Sequence, residues 1–291
     1  MICNAIIPTF TPVVNQYAYG SSIISSYFLG TALITLIGVI LLTLINGSTW
    51  GIVFPPIELL LSGLIYGAGT LSLQKSVERA PSPAIATLLP RNRSLVNAML
   101  AFFIFGVSRG FWLDGDVYLT QAIFIAIALV LTNSYNKGSG GEHSWQPYSF
   151  MSMILLAISD VIVKNVVGYS SLLTNLSWFS ISSAVIPMIS NFRKTGSFIF
   201  KYRDPSREDN VGIVPLFIGL IGVFSIKIIS QYIAIGVAPD SANVRAIGSL
   251  AVPLTIVLTN YYRNIEYKQR DIILMSMFSI VGLISGIRSL F

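Results

Sequence analysis

The chain has 291 residues, of which 54% are hydrophobic and only 10% charged, against about 25% charged in an ordinary soluble domain. A soluble fold of this size could not hide so much apolar side chain, which makes the bilayer the solvent of choice. A formal charge of +6 is modest and reads as cytoplasmic loops, not as a nucleic-acid surface. The single cysteine, Cys3, excludes an internal disulfide framework. With the lone His143 it cannot build a zinc site of the usual kind.

In hydrocarbon every backbone polar group must be satisfied within its segment, and long apolar runs without alternation point to helices over barrel strands. A spanning helix needs about 20 mostly apolar residues. Ten such spans are predicted, in chain order at 1–17, 21–45, 56–76, 82–105, 117–133, 148–167, 171–190, 213–236, 240–262 and 271–289. The first carries Pro8, Pro12, Asn15 and Gln16. The opening residues lack the basic stretch of a cleavable signal peptide. Aromatics near span ends, namely Trp50, Trp112, Trp145, Tyr261 and Tyr262, read as interface anchors. Gly63, Gly67 and Gly69, with Gly219 and Gly222, permit close helix packing.

Breakers such as Gly47-Ser48, Gly110 and Gly138-Ser139-Gly140-Gly141 separate the spans. The break at 138–147 divides the chain into a half over 1–137 and a half over 148–291, with five spans in each. Ala80-Pro81-Ser82-Pro83-Ala84 before span 4 matches Ala238-Pro239-Asp240-Ser241-Ala242 before span 9. Five is odd, so the halves would insert with opposite orientation. The expected fold is therefore an all-α integral membrane protein of ten transmembrane helices in two inverted five-helix repeats. Such repeats mark many secondary transporters, with the solute site near the midplane.

Basic residues set the orientation. Loops and helix ends after spans 3, 5, 7 and 9 hold Lys75, Arg79, Lys137, Arg193, Lys194, Lys201, Arg203, Arg207, Arg263, Lys268 and Arg270. The opposite side holds Arg109, Lys164 and Arg288. This places the loop 191–211 in the cytoplasm and both termini outside it.

Charge within a span is expensive and marks function. Asp160 and Lys164 stand one turn apart, as an ion pair or a proton site. Glu58 belongs to the headgroup zone. Lys227 lies near the middle of span 8, Arg91 and Arg93 in span 4, and Arg245 in span 9. Under the repeat offset Arg91 corresponds to Ser249 and Arg245 to Thr87, so the two arginines project from equivalent faces about one turn apart. Arg93 is about 200° round from Arg91 and faces elsewhere. Arg91, Lys227 and Arg245 then converge on a central cavity lined by Tyr66, Gln231 and Asn243, with Gln74, Trp178 and Tyr232 as further candidates. Guanidinium groups recognise carboxylate and phosphate with a planar fork, so the solute is anionic or zwitterionic.

The stretch 246–282 resembles the end of an EamA-type domain of the drug/metabolite transporter superfamily. It has a small-residue helix with Pro253, then Glu266 in a loop, then an apolar helix with Gly282. Span 6, ending with Lys164, is similar to the start of the second such domain. Gln269, Arg270 and Asp271 stand where the family carries a Gly. The resemblance implies a carrier with solute held among spans 1, 3, 4, 6, 8 and 9, and both termini in the cytoplasm, opposite to the charge count. The basic central residues are similar in kind to those of sugar-phosphate and nucleotide-sugar carriers.

The functional expectation is a secondary transporter moving a small polar metabolite by alternating access, with no cofactor, no metal and no nucleic-acid partner. It would sit in the plasma membrane of a prokaryote or in an endomembrane or organelle membrane of a eukaryote; a homodimer is compatible with this. The rivals are a membrane-embedded enzyme acting on lipid phosphates and a lipid-linked-sugar flippase. Asp114-Gly115-Asp116 is the one metal-like acid pair and reads as a solvated turn, and no Gly-Lys-Ser/Thr phosphate loop occurs.

Overall fold

The computed structural model describes residues 20–46, 55–80, 83–91, 145–166, 172–196, 198 and 268–288, with scattered helical positions within 93–103, 122–130 and 225–232. Six helices are bounded: α1 (Gly20–Asn46), α2 (Ile57–Arg79), α3 (Pro83–Arg91), α4 (Gln146–Val166), α5 (Leu172–Thr195) and α6 (Gln269–Arg288). Every bounded element is a helix, and three are long and apolar enough to cross a membrane: 24–41 within α1, the whole of α2 and the whole of α4. At 1.5 Å per residue, the 23 residues of α2 reach about 34 Å, which matches a bilayer core.

The face turned away from the bundle is apolar, and small polar side chains are buried beside the apolar core. On α1 the exposed side chains are Leu33, Ile34, Leu36, Ile37, Ile40 and Leu41, whereas Ser25, Ser26, Thr31 and Thr35 are buried. The same holds on α5, where Ile181, Val185 and Ile189 face outward and Ser180, Ser182 and Ser183 inward. Lipid tails are as apolar as leucine and supply no drive to bury it. Association instead uses close packing and interhelical hydrogen bonds. Thr31 and Ser225 hydroxyls meet at 3.0 Å, Ser177 donates to Thr35 Oγ1 at 2.9 Å, and Ser62 pairs with Ser159 at 2.9 Å.

These contacts fix the topology. α2 lies between α4 and α5, α1 packs on α5, and α3 packs on α4. Ser62 meets Ser159 while Lys75 meets Tyr148, so α2 and α4 are antiparallel. Gly63 faces Phe179 and Ser182, and Gly67 faces Ser183 and Pro187, so α2 and α5 run parallel. A Cβ on Gly63 would fall on the Ser182 hydroxyl and within 2.7 Å of the Phe179 carbonyl, and one on Gly67 would strike the Ser183 carbonyl. Gly69, on another face, admits the Leu156 side chain of α4, which would stand 2.9 Å from an added Cβ. The glycines read from the sequence as packing positions serve two partners at once.

Among the described residues two prolines lie in helix interiors, and each leaves a carbonyl without its usual donor. Pro90 in α3 frees the Ala86 carbonyl, which accepts a 2.8 Å hydrogen bond from Ser149 Oγ of α4. Pro187 in α5 frees the Ser183 carbonyl, which faces the bare backbone of Gly67.

Two expectations are corrected. The loop expected from residue 191 begins later, because α5 continues to Thr195. Asn191 is fully buried, and the stop is Gly196 at φ 71°, whose N–H donates to the Phe192 carbonyl at 2.8 Å. Phe192 and Phe198 stack across this cap with ring centroids 4.2 Å apart. Trp145, expected as an interface anchor, is 1% exposed and packs with Val77, Ile85, Leu88, Leu89 and Met275. It opens α4 beneath α3 and α6, so its ring fills the junction between helices. Spans 1 and 9 and the repeat residues at 238–242 lie outside the described residues.

Candidate functional site

α2 brings Tyr66 to the middle of the bundle. Its ring is buried against Phe28 of α1, edge-on at 5.8 Å, and against Phe179 of α5 at 5.2 Å. Phe179 in turn meets Tyr232 at 5.8 Å. The Tyr66 hydroxyl accepts a hydrogen bond from Gln231 Nε2 at 3.4 Å, across 165 residues of sequence. Four rings and one amide from four segments thus share a site, with Trp178 packed against its edge.

Hydrogen-bonding capacity is left over there. The Tyr232 hydroxyl and the Asn175 amide nitrogen are buried with no hydrogen-bond partner among the described residues, as is the Ser180 hydroxyl. Asn175 stands one turn before Phe179, on the same face of α5. A buried donor left unmade costs about 1–3 kcal/mol, so such groups are normally met by water or a ligand.

A second polar centre lies on the other side of α2. Arg93 Nε donates to Asp160 Oδ2 at 2.8 Å, with the carboxylate 2% exposed. Arg93 Nη1 also reaches the Pro90 carbonyl at 3.4 Å, and the Asn97 amide lies 3.3 Å from the same carboxylate oxygen. The carbonyl and the carboxylate hold the guanidinium in one orientation. Desolvation of both ions is offset by the short charge-assisted bond.

No family model matches the sequence, and no curated protein matches it. The chain does have fold neighbours. One crystal structure, of a protein described without a function, superposes at a TM-score of 0.67 with 12% sequence identity. The match covers 99% of this chain and 95% of that one. At that identity the likeness concerns the fold alone, and it extends over the whole length.

Of the residues chosen from sequence, Tyr66 and Gln231 are brought together, with Tyr232 beside them. Gln74 is buried and donates to Glu78 Oε1 at 3.3 Å along its own helix. Glu58 is exposed in the first turn of α2, as a headgroup-level acid would be. Lys227, Asn243 and Arg245 lie outside the described residues, as does the side chain of Arg91. Asp160, paired along the sequence with Lys164, is engaged by Arg93 from a different helix. The interhelical hydroxyl pairs and Asn175 were not singled out. Their signal is the placing of Ser, Thr and Asn in apolar spans, with Thr31 and Thr35 one turn apart.

Proposed function

We propose that the chain is a secondary transporter that carries a small polar metabolite by alternating access through the middle of the bundle. In this reading it is an EamA-like carrier of ten helices in two inverted halves, 1–137 and 148–291. The observation that carries the proposal is the Tyr66–Gln231 hydrogen bond inside the aromatic cluster of Phe28, Phe179 and Tyr232, with unmet donors on Tyr232 and Asn175 beside it. Ser76, Ser152 and Trp145 also carry buried donors with no partner among the described residues; in this reading the two beside the aromatic rings are the ones a solute satisfies and then releases. The spacing of Arg91, Lys227 and Arg245, with Asn243, supports an anionic or zwitterionic solute.

The test is counterflow in liposomes holding the purified protein, against amino acids, nucleosides, sugar phosphates and nucleotide sugars. Saturable movement of one class is expected. Tyr66→Phe should raise KM about fivefold, the worth of one hydrogen bond of about 1 kcal/mol. Failure of every class to move, or Tyr66→Phe kinetics identical to wild type, would sink the proposal.

A further inference from the structure

The last turn of α2 and the first turn of α4 meet at one end of the bundle. There Lys75 Nζ lies 5.6 Å, and the Arg79 guanidinium carbon 4.6 Å, from the centre of the Tyr148 ring. Both distances fall within the reach of a cation–π contact. Lys75 and Arg79 are four residues apart and share one helix face, where two like charges repel. The ring offsets part of that repulsion, and an anion seated between the two cations would offset the rest. Among the described residues, the acid next to Arg79 in sequence, Glu78, stands on the next ridge, where Gln74 bonds to it. The positive end of the α4 dipole adds to the same field.

Depth and surroundings say what kind of anion fits. Arg79 closes a helix long enough to span and Lys75 stands one turn before it, which puts the pair near headgroup level. Arg79 is exposed, and Met151, one turn along α4 from Tyr148, is exposed toward the bilayer side. A phosphate bound by the two cations would have its acyl chains running past Met151. We infer that Lys75, Arg79 and Tyr148 form a binding site for the headgroup of an anionic phospholipid. The site is separate from the aromatic cluster and does not depend on what is transported.

The experiment is native mass spectrometry of the delipidated full chain in neutral detergent, titrated with phosphatidylglycerol and with phosphatidylcholine. Wild type should prefer phosphatidylglycerol. The double variant Lys75→Gln/Arg79→Gln should lose about twenty-five-fold in that affinity, each basic residue contributing about fivefold at a lipid surface. Phosphatidylcholine binding should be unchanged. Arg193→Gln/Lys194→Gln, which removes two cations from α5, should keep the preference. Three results each overturn the inference: no preference in wild type, an equal loss in the α5 variant, or displacement of the lipid by inorganic phosphate at equal concentration. Should the double variant not fold, Lys75→Arg/Arg79→Lys keeps both charges and must keep the preference.

Discussion

Asp160 is 2% exposed and its carboxylate is held by Arg93 at 2.8 Å. Removing one member of a buried ion pair costs about 3–5 kcal/mol, because the other charge is stranded. Asp160→Asn should therefore lower the unfolding midpoint in detergent strongly. Arg93→Met/Asp160→Leu should cost less than the sum of the single changes. A double-mutant cycle giving a coupling energy near zero would show that the two groups act independently. The sequence displayed both residues but not their partnership. Along one helix the nearest cation to Asp160 is Lys164, and the i,i+4 rule looks only along one helix. Arg93 comes from 67 residues away.

Helices are the level at which the sequence was most informative, since apolar length translates directly into span. The predicted 56–76 and 148–167 are observed at Ile57–Arg79 and Gln146–Val166. The extension of α5 to Thr195 escaped notice because Arg193 and Lys194 read as loop, although cations suit a helix C-terminus. Glycine positions separate packing from propensity. Gly67→Ala must displace the Ser183 backbone, and overpacking of this kind costs about 1–3 kcal/mol. Gly38, mid-way along α1, has nothing within 4 Å of where a Cβ would stand. Gly38→Ala should therefore stabilise by about 0.5–1 kcal/mol through lost chain entropy. Thermal unfolding of both variants in one detergent should give shifts of opposite sign.

Across the whole molecule, α1, α4 and α6 begin, and α2 and α5 finish, at one end. Met275 of α6 meets Val77 of α2 and Trp145 beside α4 there. Lys75, Arg79, Arg193, Lys194, Lys268 and Arg270 consequently gather at that end, and Lys164 lies toward the other. The distribution of loop charge sorts these residues into the same two groups. On a Cys3→Ser background, cysteines at 194 and 164 should react with an impermeant maleimide from opposite faces of the membrane, position 194 from the cytoplasm. Labelling of both from one face would contradict the topology. What composition could not convey is how the polar interior is wired. The bond between Tyr66 and Gln231 depends on which spans adjoin, and adjacency is decided by glycine seams and hydroxyl pairs whose partners are distant in the chain.

The glycine faces of α2 have a mechanical corollary. Toward α5 the contact is with backbone, at the Phe179 and Ser183 carbonyls, which have no rotamer to turn aside. Toward α4 it is with the Leu156 side chain, which can give by a few tenths of an ångström. The two seams of α2 therefore differ in stiffness, and any small slip of this helix falls on the α4 side.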